Sequence, residues 1–359
     1  MELCLVKLGA GSERLALALG GVQEAYGGRL QEICGAKAFA AAAESGKLHE
    51  KRLLFAVHIP AAGVEAELYE VLGVLQDPQR PHTLAGSVGG VIIDGESELY
   101  TKDAGRRLIF AANMAGCRFP GKPLVEATGS LRNFKVLARL HQTDLAGAYR
   151  QSCRLLADKI MAQPERSAKH ILVIHAGNRA TSNSLALWHK VAAALGERAE
   201  IEEISVRNGQ IWDCRGCKYE ECKHFGEQGN CFYGGVMTEK VYPAILRADV
   251  LVLVCPNYND SVSANIMAFI NRLTAVFRAH DASFSQKQLY AVIVSGYSGG
   301  DLVAQQIIGA LNINKNFALP PSFALLETAN DPGEIEAAAG IDARAAQFAA
   351  QIAGTQDCR

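Results

Sequence analysis

The strongest constraint on the fold is an alternation of short apolar runs with amphipathic segments. After about residue 169 the runs are Ile171 to His175, Ile201 to Val206, Val250 to Cys255, Leu289 to Ser295 and Phe323 to Leu326. Between and after them lie helical patterns from about Ser184 to Leu195, Ser263 to Arg278, Asp301 to Leu311 and Gly333 to Ile352. Runs this short, rich in Val, Ile and Leu and bounded by turn residues, read as strands buried on both faces. Strands that alternate with helices form a parallel sheet through right-handed crossovers. Ile266, Phe269, Ile270, Leu273 and Phe277 make one apolar stripe, and Leu185, Trp188, Val191 and Leu195 make another. Both stripes are expected to pack on the sheet.

The first half repeats the rhythm more faintly. Leu3 to Val6, Leu53 to His58, Val88 to Ile93 and Pro123 to Ala127 alternate with helical patterns at Glu65 to Leu75, Leu99 to Met114 and Asn133 to Leu140. A length of 359 residues suits about two domains. The proline and charges of Met161 to Lys169 place the boundary there, giving an α/β domain over 1–163 and a second over 169–359. Phe119-Pro120-Gly121-Lys122-Pro123-Leu124 and Phe284-Ser285-Gln286-Lys287-Gln288-Leu289 share the spacing F-x-x-K-x-L, each between a helix and a strand. A degenerate duplicate of one fold and two independent α/β domains both fit this match.

Lys and Arg number 36 and Asp and Glu 37, a net charge of -1, which argues against a nucleic-acid or anionic-membrane partner. No run reaches the roughly 20 apolar residues of a membrane span. The start, Met1 to Leu8, lacks the features of a signal peptide, so a cytoplasmic, soluble protein is expected. In that reducing compartment ten cysteines are not a disulfide framework. Cys4, Cys34, Cys117, Cys153, Cys255 and Cys358 are scattered and read as ordinary packing or surface residues. Cys214, Cys217, Cys222 and Cys231 are clustered, with spacing C-x2-C-x4-C-x8-C.

Three polar loops follow three of the second-half strands. Ala176-Gly177-Asn178-Arg179-Ala180-Thr181-Ser182-Asn183-Ser184 leads into a helix and offers hydroxyls and free N–H groups suited to a phosphate, or, more plainly, an N-cap. It matches neither a Walker loop nor G-x-G-x-x-G. Pro256 to Asn265 can present backbone and an aromatic to a planar ring, and Ser295-Gly296-Tyr297-Ser298-Gly299-Gly300 allows close backbone approach. In an open parallel sheet such loops converge on one crevice. His175, at the end of its strand, reads as a satisfied strand-end histidine. Gly9-Ala10-Gly11-Ser12-Glu13-Arg14 begins like a dinucleotide loop, but Arg14 stands where the third glycine belongs, so it reads as a turn.

The segment from Lys169 to about Leu326 resembles the flavodoxin-like NAD(P)H-dependent FMN reductases, particularly their iron-sulfur flavoprotein branch. The resemblance rests on Ser182-Asn183-Ser184, on Pro256-Asn257-Tyr258, and on the helix Ser261-Val262-Ser263-Ala264-Asn265-Ile266-Met267-Ala268-Phe269-Ile270-Asn271-Arg272. It implies a doubly wound parallel sheet of order 2-1-3-4-5, and an FMN-dependent oxidoreductase taking electrons from NAD(P)H and passing them to an acceptor that the sequence does not name. It further implies that Asn178, Arg179, Ser182, Asn183 and Ser184 hold the FMN phosphate. Pro256, Asn257, Tyr258 and Asn259 would line the flavin ring, and Ser295, Gly296 and Gly300 would close its far edge. Gly177-Asn178-Arg179 is one residue shorter than the family's usual loop. Relatives of this fold pair as homodimers, so a homodimer is expected. The cysteine cluster lies where the family places its cysteines, and there it could ligate a [4Fe-4S] cluster, hold structural zinc, or hold no metal. The competing reading is a non-catalytic flavodoxin-like scaffold without FMN.

Overall fold

The computed structural model describes residues 2–162, 168–178 and 180–354. Arg179, Cys358 and the boundary residues 163–167 therefore lie outside the described residues. Two compact units divide the chain: Met1–Pro164 with Pro320–Ser322, and Glu165–Leu319 with Phe323–Arg359. No helix among the described residues is long and apolar enough to cross a membrane.

The second unit is built on β6 (His170–His175), β7 (Glu200–Ser205), β8 (Val250–Pro256), β9 (Gln288–Ser295) and β10 (Ala324–Thr328). All pairings are parallel, in the order β7-β6-β8-β9-β10. Counted from its own first strand this is 2-1-3-4-5, the order expected. Central β8 is buried along its length down to the mouth residue Pro256, as a strand covered on both faces must be. Leu185, Trp188, Val191 and Leu195 are fully buried on one face of the sheet, so the predicted stripe is core.

Two predicted helices are interrupted. The segment 263–278 breaks into Ala264–Arg272 and Thr274–Ala279, and the last one is a 3-10 turn, Glu334–Ala337, followed by Ile341–Ile352. Gly340, at φ +70°, supplies the left-handed residue between these last two pieces, which an uninterrupted helix excludes.

The first unit contains β1 (Leu3–Leu8), β2 (Leu30–Cys34), β3 (Arg52–Ile59), β4 (Val88–Gly95) and β5 (Leu124–Ala127), parallel and in the order β2-β1-β3-β4-β5. It is therefore also 2-1-3-4-5. Strand β2 had no apolar run to announce it, because it is an edge strand in which only Ile33 is buried while Gln31 and Glu32 face solvent.

The F-x-x-K-x-L match does not align the two units. Phe119–Leu124 leads into β5, the fifth strand of its sheet, whereas Phe284–Leu289 leads into β9, the fourth of its own. Equivalent features lie elsewhere. Val88 at the start of β4 bridges Arg118 in parallel as Gln288 at the start of β9 bridges Ala318. Each first strand also runs to a serine N-cap followed by the same pattern, Ser12-Glu13-Arg14-Leu15-Ala16-Leu17 and Ser182-Asn183-Ser184-Leu185-Ala186-Leu187.

Candidate functional site

The carboxyl ends of β6, β8 and β9 lie side by side, because β8 pairs with both neighbours. The loops after these three strands therefore share one mouth of the sheet.

The β6 loop is organised by Asn178. Its carbonyl accepts from Thr181 N (3.1 Å) and Ser182 N (3.0 Å), and its Oδ1 accepts from Ala180 N. Ser182 caps the helix Asn183–Leu195 by accepting from Leu185 N, and its hydroxyl lies 3.1 Å from that of Ser184. The N–H groups of Asn183 and Ser184 are in the first turn, where no intrahelical acceptor exists. Paired hydroxyls, first-turn N–H groups and the positive end of a helix dipole together make a phosphate-compatible cradle. Gly177 is needed here, since a Cβ would come within 2.8 Å of Ser182 Oγ. Asn183 contributes differently from the expectation. Its Nδ2 donates to Ala329 O and Asp331 O and its Oδ1 accepts from Gly333 N, so the side chain pins the segment after β10 and only the backbone faces the loop. Below the loop, buried His175 has Nε2 3.3 Å from Glu203 Oε1, and His189 approaches the other oxygen at 3.4 Å. His175 is thus a paired strand-end residue.

The β8 loop is a tight turn in which Tyr258 and Ser261 exchange backbone hydrogen bonds at 3.1 and 3.2 Å, with Asn259 and Asp260 both left-handed. Asn257 N donates to Val294 O, and its Nδ2 donates to Ser298 O (2.8 Å) and Asp260 Oδ1 (3.3 Å), which ties the β8 and β9 loops together. Among the described residues, the buried Asn257 Oδ1 and Ser295 Oγ have no hydrogen-bond partner. Ser295 is 2 % exposed, so a hydroxyl left without a partner there calls for one from outside the chain or for water. Gly299, at φ +83°, is left-handed and a Cβ there would also meet Asp260 and Asn257, whereas a Cβ on Gly296 would meet the end of the exposed Asn330 side chain, at 2.8 Å from its Oδ1. Pro256 is half-buried, whereas Tyr258 is 57 % exposed and free to present its ring.

Gln306 was not anticipated. Its Oε1 accepts from Ser261 Oγ (3.1 Å) and Val262 N (2.9 Å), fixing the β8 loop from the helix after β9. The trace in the sequence is an amide pair, Gln305-Gln306, within the helix Gly300–Ile307.

The four clustered cysteines line one cavity of about 120 Å³ with Phe225, Arg272 and Arg278. Cys222 rides on the helix Tyr219–Glu227, and Cys217 Sγ lies 3.9 Å from Tyr233 Oη. Burial raises the Cys222 thiol above its ordinary range, and Arg278 opposes that shift. Among the described residues no three Cys, His, Asp or Glu side chains are already arranged around a metal position. Of the scattered cysteines, Cys4, Cys117, Cys153 and Cys255 are buried, with the Cys4 thiol pushed up to about 11 and Cys255 to about 12, as inert packing residues should be.

Residues 170–331 match the sequence pattern of the family described as NADPH-dependent FMN reductase. Among solved structures, an NAD(P)H:quinone oxidoreductase from Methanothermobacter marburgensis is 13% identical, over 54% of this chain and 100% of its own, with a TM-score of 0.39. An azoreductase from Bacillus anthracis is 14% identical over 52% and 100%, at 0.37. The Trp repressor binding protein from Bacillus subtilis is 20% identical over 50% and 96%, at 0.33. No curated protein matches the sequence.

Proposed function

From the premise that residues 170–331 belong to the NADPH-dependent FMN reductase family, we propose that the mouth of the second sheet holds FMN and that the chain oxidises NAD(P)H there. The observation that carries this reading is the meeting of the Ser182–Ser184 hydroxyl pair at a helix N-terminus with the orphaned Asn257 Oδ1 and Ser295 Oγ at one sheet mouth. Ser182, Ser184 and the backbone of Asn178 and Asn183 would hold the phosphate, with Arg179 assigned there by family likeness alone. Pro256, Asn257, Tyr258 and Asn259 would border the ring, with Asn257 Oδ1 free to accept from it. Ser295, Gly296 and Gly300 would close the far side, where the missing side chains let backbone approach the ring. When bound, FMN supplies hydride acceptance and onward release of electrons. The protein supplies position, and exposed Tyr258 offers an aromatic face for the nicotinamide.

The cysteine cavity is the finer part of the proposal. Four soft thiol ligands beside two arginines suit an anionic iron-sulfur centre, provided that the loop closes around it. Such a centre would deliver electrons singly to the acceptor. The same reading has two copies of the chain pairing in the cytoplasm.

Anaerobically purified protein tests these points in one sample. A flavin spectrum with iron and acid-labile sulfide, both lost in Cys217→Ala while flavin stays, is the expected result. Flavin without iron removes the cluster and leaves the reductase. Colourless protein that takes up no added FMN removes the reductase as well. Gel filtration of that sample at twice the chain mass checks the pairing.

A further inference from the structure

The first unit has the same strand order as the second, and its β1 loop runs to the same kind of serine-capped helix. A hollow of about 470 Å³, large enough for a ligand, lies beside that loop and is lined by Gly9, Gly11, Ser12, Cys34, Gly35 and Glu67, among others. Its chemistry is nevertheless the reverse of a phosphate cradle. Gly9 N donates to Glu67 Oε2 at 2.8 Å, so a carboxylate already occupies the donor that an incoming phosphate would need. A Cβ on Gly9 would meet Glu65 Oε2 at 3.0 Å, which puts a second carboxylate against the same glycine. At the helix N-terminus, Ser12 Oγ donates to Asp94 Oδ1 (2.9 Å) while it accepts from Leu15 N.

The loop is also shorter. Leu3 pairs with Arg52 as Ile171 pairs with Val250, which makes Gly9 the counterpart of Gly177. The stretch to the capping serine is then Gly9–Ser12 in the first unit and Gly177–Ser182 in the second. Where the second unit presents Pro256, paired with Val294, the first has His58 paired with Asp94, their side chains 3.3 Å apart. A flavin ring placed there would thus meet a buried polar border, with Asp94 ion-paired to Arg14, in place of the apolar one of the second unit.

We infer that the first unit's counterpart of the flavin site is sealed by the chain's own carboxylates, Glu67 on the Gly9 amide and Asp94 on the Ser12 cap, so that the chain takes a single FMN. The statement about the second unit rests on the function proposed above; the sealing of the first does not. A phosphate dianion at Gly9 would face Glu65 and Glu67 and would have to displace a charge-assisted hydrogen bond.

Hydrogen exchange of the full chain, with and without excess FMN, separates the two claims. FMN should slow exchange in peptides covering 176–186 and 257–261 and leave peptides covering 8–15 unchanged, with one flavin retained per chain. Slowing at 8–15, or two flavins per chain, overturns the inference. No slowing anywhere defeats the flavin reading but agrees with a sealed first loop. Without FMN, Glu67→Ala should speed exchange of the Gly9 amide by about tenfold; an unchanged rate overturns the assignment of Glu67 as the occupant.

Discussion

Ser182→Asp is expected to weaken FMN binding by roughly a hundredfold or more while leaving the thermal midpoint nearly unchanged. The substitution separates two roles of one hydroxyl. Ser182 Oγ caps the helix by accepting from Leu185 N, and Asp is as good an N-cap as Ser. The helix therefore keeps its start. The phosphate does not keep its partner, since a carboxylate cannot donate to it and repels it at close range. Titration by quenching of FMN fluorescence measures the first effect and a melting curve the second. A variant that melts normally and binds FMN as tightly as the parent would remove the phosphate from this loop. Alanine would be a poorer test, because loss of the cap alone costs about 1 kcal/mol.

Asp94→Ala is expected to destabilise the first unit by about 3 kcal/mol, a fall of roughly 6–12 °C in its melting temperature. Asp94 is 0 % exposed and holds three side chains. Arg14 Nε donates to its Oδ2 at 2.8 Å, Ser12 Oγ to Oδ1 at 2.9 Å, and His58 Nδ1 stands 3.3 Å from Oδ1. Removing the carboxylate leaves a partly buried guanidinium without its counter-charge, although Gly95 O, Thr128 O and Gly129 O still accept from it. Those carbonyls, and the side-chain exposure of Arg14, place the estimate at the low end for a buried pair. Asp94→Asn keeps the shape but has a single accepting oxygen, so it can keep the contact from Ser12 or the one from Arg14 and not both, and should fall between parent and alanine. Calorimetry of the full chain reads both. An alanine variant within about 0.5 kcal/mol of the parent would show that the cluster is not a structural lock.

Much of the architecture was legible because its strands are buried on both faces. Val250 to Cys255 and Leu289 to Val294 are unbroken apolar runs rich in Val, Ile and Leu. Edge strand β2 was not legible, because a strand that buries only Ile33 leaves no pattern. The first-unit helices Glu13–Tyr26 and Ala36–Glu44 were also not anticipated; the second is nearly all alanine around Phe39, which blurs its face. The site was legible at the level of loops and less so at the level of atoms. Ser182, Asn183 and Ser184 stand together as their order suggests, yet Asn183 turns its amide to Ala329 and Gly333, and that long-range contact has no local signature. Likewise Asn257 joins two loops and Gln306 buttresses one of them, through partners more than 40 positions distant. The likeness between the units was hidden for the same reason: it resides in strand order and caps, whereas the matching hexapeptides fall at different strands.

The most direct test of the central claim is anaerobic titration of the FMN-loaded chain with NADPH. Bleaching of the flavin absorbance by NADPH, lost in Ser182→Asp together with the flavin itself, is the predicted result. Retained flavin that NADPH does not bleach, or a chain that retains no flavin at all, would contradict it.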